Sequence, residues 1–175
     1  MASRRCVKYP ELIMNKVDNT SDMIKEISDK LVHEYCTDLD NCMNGIRNCL
    51  RNPNSISDIL LETYILDLAN ILYFTGSAQE DLGIKEDTCK MIRQEVYSKA
   101  RENASGTVAD KTAQAELIAQ HETITLAIYS RAYKKVKLRM DAGYEMLNSL
   151  KKVMNKRVAE MELSNSRYIG TNKEI

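Results

Sequence analysis

The sequence predicts an all-α protein, a helical bundle with one very long C-terminal helix of coiled-coil type. Its 175 residues include only six glycines and two prolines, whereas 43% are hydrophobic and 29% are charged. Few turn-forming residues among many helix formers favour long helices with short connections. Apolar residues also recur at steps of three and four. We expect an N-terminal helical extension (1–55), a hairpin-like helical core (56–106), a long oligomerising helix (107–165) and a tail (166–175).

The first predicted helix follows three residues that commonly cap helices, Asn19, Thr20 and Ser21. It ends before Pro53, because proline and its two asparagine neighbours do not readily continue a helix. Between these limits the apolar residues form a single stripe. They are Ile24, Ile27, Leu31, Tyr35, Leu39, Met43, Ile46 and Leu50.

A second helix is predicted to begin near Ser57 and to lie at the centre of the core, because it is the most apolar segment. Its apolar residues are Leu60, Leu61, Ile65, Leu68, Ile71 and Leu72. Gly76 and Gly83 predict an interruption, after which a third helix covers residues 86–103. Gly106 follows it and suits the left-handed conformation of a helix C-terminus.

The last helix is predicted from about Val108 to Leu163, with Thr107 and Asp110 in an N-cap arrangement. A stripe at alternating steps of three and four indicates a coiled-coil partner surface. We expect part of so long a stripe to pack on another subunit, which predicts a homo-oligomer. The stripe consists of Leu117, His121, Ile124, Ile128, Ala132, Val136, Met140, Gly143, Leu147, Leu150, Met154, Val158 and Met161.

Charge is unevenly distributed along a chain whose net charge is zero. Residues 18–87 contain 14 acidic and 5 basic residues, and residues 128–157 contain 9 basic and 2 acidic residues. Such a division predicts an acidic part beside a basic part, which fits anion binding, self-association or both.

Several classes of protein are disfavoured by what the sequence lacks. With two histidines and no glycine-rich phosphate loop, no catalytic or cofactor-binding constellation emerges. Five cysteines without a CxxC pair indicate reduced thiols in a cytoplasm. No stretch approaches ~20 uncharged apolar residues, so we expect neither a membrane span nor a secretory signal. Five potential metal ligands lie close together in the sequence, but on one helix their side chains would point in different directions and would not converge on one ion. They are His33, Cys36, Asp38, Asp40 and Cys42.

Basic residues are the remaining candidates for a site. Either they form a solvated helix face, or they bind nucleic-acid phosphates with Tyr129 and Tyr133 available for base stacking. On the third helix they are Lys90, Arg93, Lys99 and Arg101. On the last helix they are Arg131, Lys134, Lys135, Lys137 and Arg139.

Residues 72–101 resemble phage recombination mediators of the UvsY kind. The family has an "LY" at the same distance from a "KAR" near a helix end, with "SG" soon after; here these are Leu72-Tyr73, Lys99-Ala100-Arg101 and Ser105-Gly106. The resemblance extends over about residues 63–161, through a helix similar to "TYILDLAN" and a long C-terminal helix with dispersed basic residues. The first 60 or so residues have no counterpart in the family.

The resemblance implies a non-enzymatic, oligomeric protein that binds single-stranded DNA. Such a mediator helps load a strand-exchange recombinase onto DNA covered by a single-stranded-DNA-binding protein. The expected location is the cytoplasm, which is the host cytoplasm if the protein is phage-encoded. The family's basic pair corresponds to Lys99 and Arg101. The alternative is an oligomeric helical interaction protein, such as a scaffold, adaptor or inhibitor of a host system. In that case the basic helix docks on the acidic helices and does not bind DNA.

Overall fold

Four helices form the described part of the chain in a computed structural model. Residues 9–51 and 56–171 are described, with side chains for residues 14–51 and 56–164. The helices are α1 (Tyr9–Leu50), α2 (Asp58–Asn103), α3 (Val108–Ile118) and α4 (Gln120–Thr171). No strand occurs among these residues, so the predicted all-α class is confirmed.

Helix α1 begins ten residues before the predicted start. Pro10 lies in its first turn, where a proline lacks only an N–H that has no helical partner. Thr20 does not belong to a cap, because its Oγ1 donates to the carbonyl of Lys16, one turn back inside the helix. The segment around Pro53 lies outside the described residues, and α1 ends before it at Leu50.

Helix α2 is continuous through Gly76 and Gly83, so the predicted interruption is wrong. Each glycine lowers helix stability by about 1 kcal/mol relative to alanine. Because the two glycines have no side chains, side chains of α4 can pack directly against α2 at these positions. A Cβ at Gly76 would lie 3.6 Å from Met140 Cε, and one at Gly83 would lie 3.5 Å from Tyr133 Cε2. We infer that packing against α4 keeps α2 helical at both glycines.

The connection between α2 and α3 has the predicted chemistry. Gly106 has φ of 109°, and Thr107 is the N-cap of α3. The Thr107 hydroxyl accepts from the Asp110 N–H, while the Asp110 carboxylate accepts from the Thr107 N–H, as in a capping box. The helix predicted from Val108 is divided at Ala119, where α3 ends and α4 begins.

The C-terminal helix is not the single very long element expected. Helix α4 has 52 residues, but α1 has 42 and α2 has 46. The sequence interpretation shortened α1 and divided α2, so it left α4 without partners of matching length. The α4 stripe is in fact buried at successive positions. Its buried residues are Ile128, Ala132, Val136, Met140, Gly143, Leu147 and Leu150.

The chain forms two compact units, to both of which α1, α2 and α4 contribute. Unit 1 combines the chain up to Glu34 with Glu80–Lys135, and unit 2 combines Tyr35–Gln79 with the chain from Val136 onward. The unit 1 core contains Ser28, Val32, Leu82, Ala100, Ala115, Ala119, Ile128 and Ala132. The unit 2 core contains Cys36, Leu39, Ile46, Ile56, Leu61, Leu68, Leu72, Val136, Met140, Leu147 and Leu150.

Helix α2 combines these core residues with an apolar surface. Among the described helices, it alone has a stretch long and apolar enough to cross a membrane by length and composition, with a mean hydropathy of 1.2. Only 22% of that stretch is buried. This criterion uses 18 residues and admits up to two charged ones, so the prediction of no membrane span stays a prediction. The unburied apolar side chains of α2 form an exposed apolar surface along the helix.

Gly143 lies at a position of close helix packing in unit 2. A Cβ there would lie 2.8 Å from Leu72 Cδ2 and 3.3 Å from Leu39 Cδ1. Both leucines are fully buried, so neither methyl group can swing into solvent. Gly45, also in a unit 2 helix, has open space beside it, because a Cβ there would meet no atom within 4 Å.

Alanine substitutions at these two glycines should therefore have effects of opposite sign. Gly143→Ala is expected to lower the free energy of unfolding by about 1–2 kcal/mol through overpacking. Gly45→Ala is expected to raise it by about 0.5–1 kcal/mol, because only helix propensity changes. Urea denaturation followed by circular dichroism measures both. Equal effects at the two positions would contradict the close packing at Gly143.

Candidate nucleic-acid interface

Five of the nine predicted DNA-binding residues form ion pairs within the chain. Lys90 pairs with Glu86 and Asp87, and hydrogen bonds to these carboxylates raise the pKa of its ammonium group. The other four are Arg93, Lys99, Lys135 and Arg139. Within the described residues, no ion pair involves Arg101, Arg131, Lys134 or Lys137, all of which are exposed.

Arg93 links three helices of unit 1. Its Nη2 donates to Glu116 Oε2 on α3 at 2.9 Å, and its Nε donates to Thr123 Oγ1 on α4 at 2.8 Å. The Thr123 hydroxyl in turn donates to the carbonyl of Ala119, where α3 gives way to α4. Arg93 thus stabilises the packing of three helices, a role that its position in the sequence did not indicate.

Lys135 and Arg139 each join α4 to α1. In unit 1, Lys135 Nζ donates to Asp29 Oδ1 at 2.6 Å and to Ser28 Oγ at 3.1 Å. In unit 2, Arg139 Nε lies 3.2 Å from Asp40 Oδ1. Basic residues of the last helix therefore meet acidic residues of the first. This is the pairing that the uneven charge distribution predicted, formed within one chain.

The two basic residues of the "KAR" segment have different surroundings. Lys99 pairs with Glu95 one turn earlier, which raises the pKa of Lys99 and lowers that of Glu95. Both side chains are exposed, and such pairs contribute little stability, so a phosphate can displace the carboxylate. Arg101 lies in the last turn of α2, about 200° from Lys99 around the helix axis. The two residues therefore do not converge on one phosphate.

A groove between α1 and α4 in unit 1 has a basic lining. It has a volume of about 390 Å³, and we call it the basic groove. Three cationic side chains line it, those of Lys25, Arg131 and Lys135. Its other lining residues are Ser21, Ile24, Ser28 and Ala127.

Charge within the basic groove is only partly compensated. Asp29 pairs with Lys135 beside it, whereas Lys25 and Arg131 form no ion pair within the described residues. Ser28 is fully buried, donates to the carbonyl of Lys25 and accepts from Lys135, so it fixes the Lys135 ammonium at the groove wall. An anion entering the groove would meet two uncompensated cations and a third that is already positioned.

Sequence reasoning missed Lys25. It lies in the acidic segment, and no motif or charge run singles it out. Only the packing of α1 on α4 places it beside Arg131. Tyr133, predicted as a possible base-stacking residue, has a packing role in the structure. Its ring lies against Gly83 inside unit 1.

The described cysteines are free thiols, and no group of three potential metal ligands occurs among the residues that the structure describes. In unit 2, burial raises the pKa of the Cys36 thiol from its ordinary 9.0 to about 11, with Asp40 adding to the effect and Arg139 opposing it. Cys49 Sγ lies 3.0 Å from Tyr64 Oη, a hydrogen bond that raises the pKa of Tyr64.

The raised pKa of Cys36 predicts a pH dependence of stability. Its thiol is neutral in both states below pH 9, and the unfolded chain ionises first as the pH rises. The free energy of unfolding should therefore fall between pH 9 and about 11, by about 2 kcal/mol for this group. Urea denaturation of the wild type and of Cys36→Ala across this range measures it. Identical pH slopes would contradict the assignment.

Comparisons of the chain with protein-family models, curated proteins and solved structures found no match.

Proposed function

We propose that this protein is a non-enzymatic mediator of DNA recombination that binds single-stranded DNA through the basic groove of unit 1. The observation that carries the proposal is the convergence of Lys25, Arg131 and Lys135 on one groove with a single compensating carboxylate. The resemblance to recombination mediators supports it independently, since it rests on other residues, Lys99 and Arg101.

Binding in the groove would be electrostatic and largely independent of base sequence. Each phosphate that meets a lysine or arginine releases condensed counterions, which provides most of the free energy of association. Lys135, held by Ser28 and Asp29, supplies a fixed charge, while Lys25 and Arg131 adapt to the strand. Lys134, exposed next to Lys135, extends the positive surface. We assign Arg93 and Arg139 to the support of the fold.

Lys99 and Arg101 would form a second contact. Because they point to different sides of α2, each would bind a separate segment of the strand. A homo-oligomer would bring several such weak contacts to one strand and increase its affinity through avidity. The mediator role, with a recombinase and a single-stranded-DNA-binding protein as partners in the host cytoplasm, follows from the resemblance alone.

Fluorescence anisotropy with a labelled oligo-dT at low salt tests the proposal. The wild type should bind, and Lys99→Ala with Arg101→Ala should weaken binding by about tenfold through loss of two phosphate contacts. A chain that does not bind oligo-dT at about 50 mM salt would overturn the proposal.

A second candidate is a helical interaction protein that does not bind DNA. The observation in its favour is the matching of α4 cations with α1 carboxylates, Lys135 with Asp29 and Arg139 with Asp40. On this account the basic residues stabilise the fold. Retention of one host protein on the immobilised chain, without retention of the chain on single-stranded DNA, would favour this candidate.

A further inference from the structure

Helix α2 carries an apolar stripe on its outer side in unit 2. Ile59, Leu66 and Tyr73 are spaced seven residues apart and are 78%, 63% and 73% exposed. Phe74, 63% exposed, lies beside Tyr73 with its ring edge-on at 5.5 Å between ring centroids. These four side chains present about 600 Å² of surface, the upper end for the largest apolar patch on a typical monomer. We call them the α2 stripe.

The α2 stripe is symmetric about Leu66. Ile59 precedes Leu66 by seven residues and Tyr73 follows it by seven. Closer to the centre, Glu62 and Asn70 stand four residues to either side. Two antiparallel copies of this helix related by a two-fold axis at Leu66 would therefore place Ile59 against Tyr73, and Glu62 against the amide of Asn70. Such self-complementarity is the requirement for a two-fold interface.

We propose that the α2 stripe is the contact between two copies of this chain, packed antiparallel about a two-fold axis at Leu66. Complete burial of both stripes would remove at most about 1,200 Å² from solvent, which is the lower limit for specific interfaces. The two Glu62 carboxylates would stand about 12 Å apart along the helix axis. This distance exceeds the electrostatic screening length of about 8 Å at physiological salt. The Glu62 charges therefore do not oppose the pairing.

Charge argues for a second copy over a lipid surface. The sequence has no lysine or arginine from Asp58 to Gln79, whereas Glu62 and Asp67 flank the stripe. Helices that lie on membranes usually carry basic residues around their apolar face, because cellular lipid surfaces are negative. The α2 stripe has the opposite charge pattern. The two Glu62 side chains, in contrast, do not face each other across the proposed two-fold axis.

Charge substitutions at Leu66 test the contact. Leu66→Glu and Leu66→Lys each place two like charges together at the axis, so each should weaken self-association of the full chain at least 100-fold in sedimentation equilibrium. An equimolar mixture of the two variants places Glu beside Lys and should restore association to within about tenfold of the wild type. Leu138→Glu, at a 68% exposed leucine of α4 outside the stripe, is the matched control and should associate as the wild type does.

The direction of packing has its own test. In the antiparallel arrangement, a mixture of Ile59→Glu with Tyr73→Lys brings the new charges together and should associate more tightly than either variant alone. Circular dichroism should show unchanged helix content, since the three substituted positions, Ile59, Leu66 and Tyr73, are exposed. A monomeric wild type at about 100 μM, or a Leu66→Glu and Leu66→Lys mixture no tighter than its components, would overturn the proposal. Wild-type binding to phosphatidylcholine vesicles that Leu66→Glu abolishes would replace it with a lipid contact.

Discussion

Replacement of both Lys25 and Arg131 by glutamate should weaken binding of oligo-dT by about 100-fold at 50 mM salt. These are the two cations of the basic groove that form no ion pair within the described residues, so the substitutions break no ion pair there. They remove two phosphate contacts and add repulsion at the same place. Anisotropy titrations of wild type and variant measure the ratio of dissociation constants.

Lys151→Glu with Lys152→Glu is the matched control for this prediction. Both lysines are exposed on the unit 2 part of α4, and the change in net charge is the same. If the basic groove is the DNA-binding site, the affinity of the control variant for oligo-dT should fall less than about fivefold. Equal losses in the two variants would mean that overall charge, and not the groove, governs binding.

Leu72→Ala should lower the free energy of unfolding by about 3 kcal/mol, the largest stability effect we expect from a single substitution. Leu72 is fully buried in unit 2 and fills the space above Gly143. Truncation loses buried apolar surface and leaves a cavity, the usual source of costs of about 2–5 kcal/mol. Urea denaturation provides the measurement. Leu138→Ala, at an exposed leucine, should change stability by less than about 0.5 kcal/mol.

A double-mutant cycle sharpens this prediction. If the methyl group of Gly143→Ala is destabilising because it meets Leu72 Cδ2, that penalty should largely disappear in the Leu72→Ala background. Additive effects of the two substitutions would show that Leu72 and position 143 do not contact each other as described.

The local features of the fold were predictable where one residue type determines the backbone. Gly106 and Thr107 are such positions, because a positive φ favours glycine and a helix N-terminus favours a short hydroxyl side chain. The continuity of α2 was not predictable. Glycine propensity favours a break at Gly76, whereas in the folded unit Met140 of α4, distant in sequence, packs against this position.

The candidate site was predictable in part for a similar reason. Arg131 and Lys135 were identified because they belong to a basic helix with a clear charge excess. Lys25 was not identified, because its neighbours in sequence are acidic and its relation to Arg131 exists only in the folded unit. The residues around Arg93 in the sequence likewise do not indicate that it links α2 to α3 and α4. Its partners, Glu116 and Thr123, lie 23 and 30 residues away.

The central claim, that the chain binds single-stranded DNA through phosphate contacts, is tested most directly by the salt dependence of binding. Oligo-dT affinity should fall linearly with salt on a double-logarithmic plot, with a slope of about −3.5 on a single strand for five phosphate contacts, three in the basic groove and two from Lys99 and Arg101. The slope should become about 1.4 units shallower when Lys25 and Arg131 are both replaced by alanine, because two phosphate contacts are lost. Affinity that does not change between about 50 and 200 mM salt, or no binding at the lower salt, would contradict the claim.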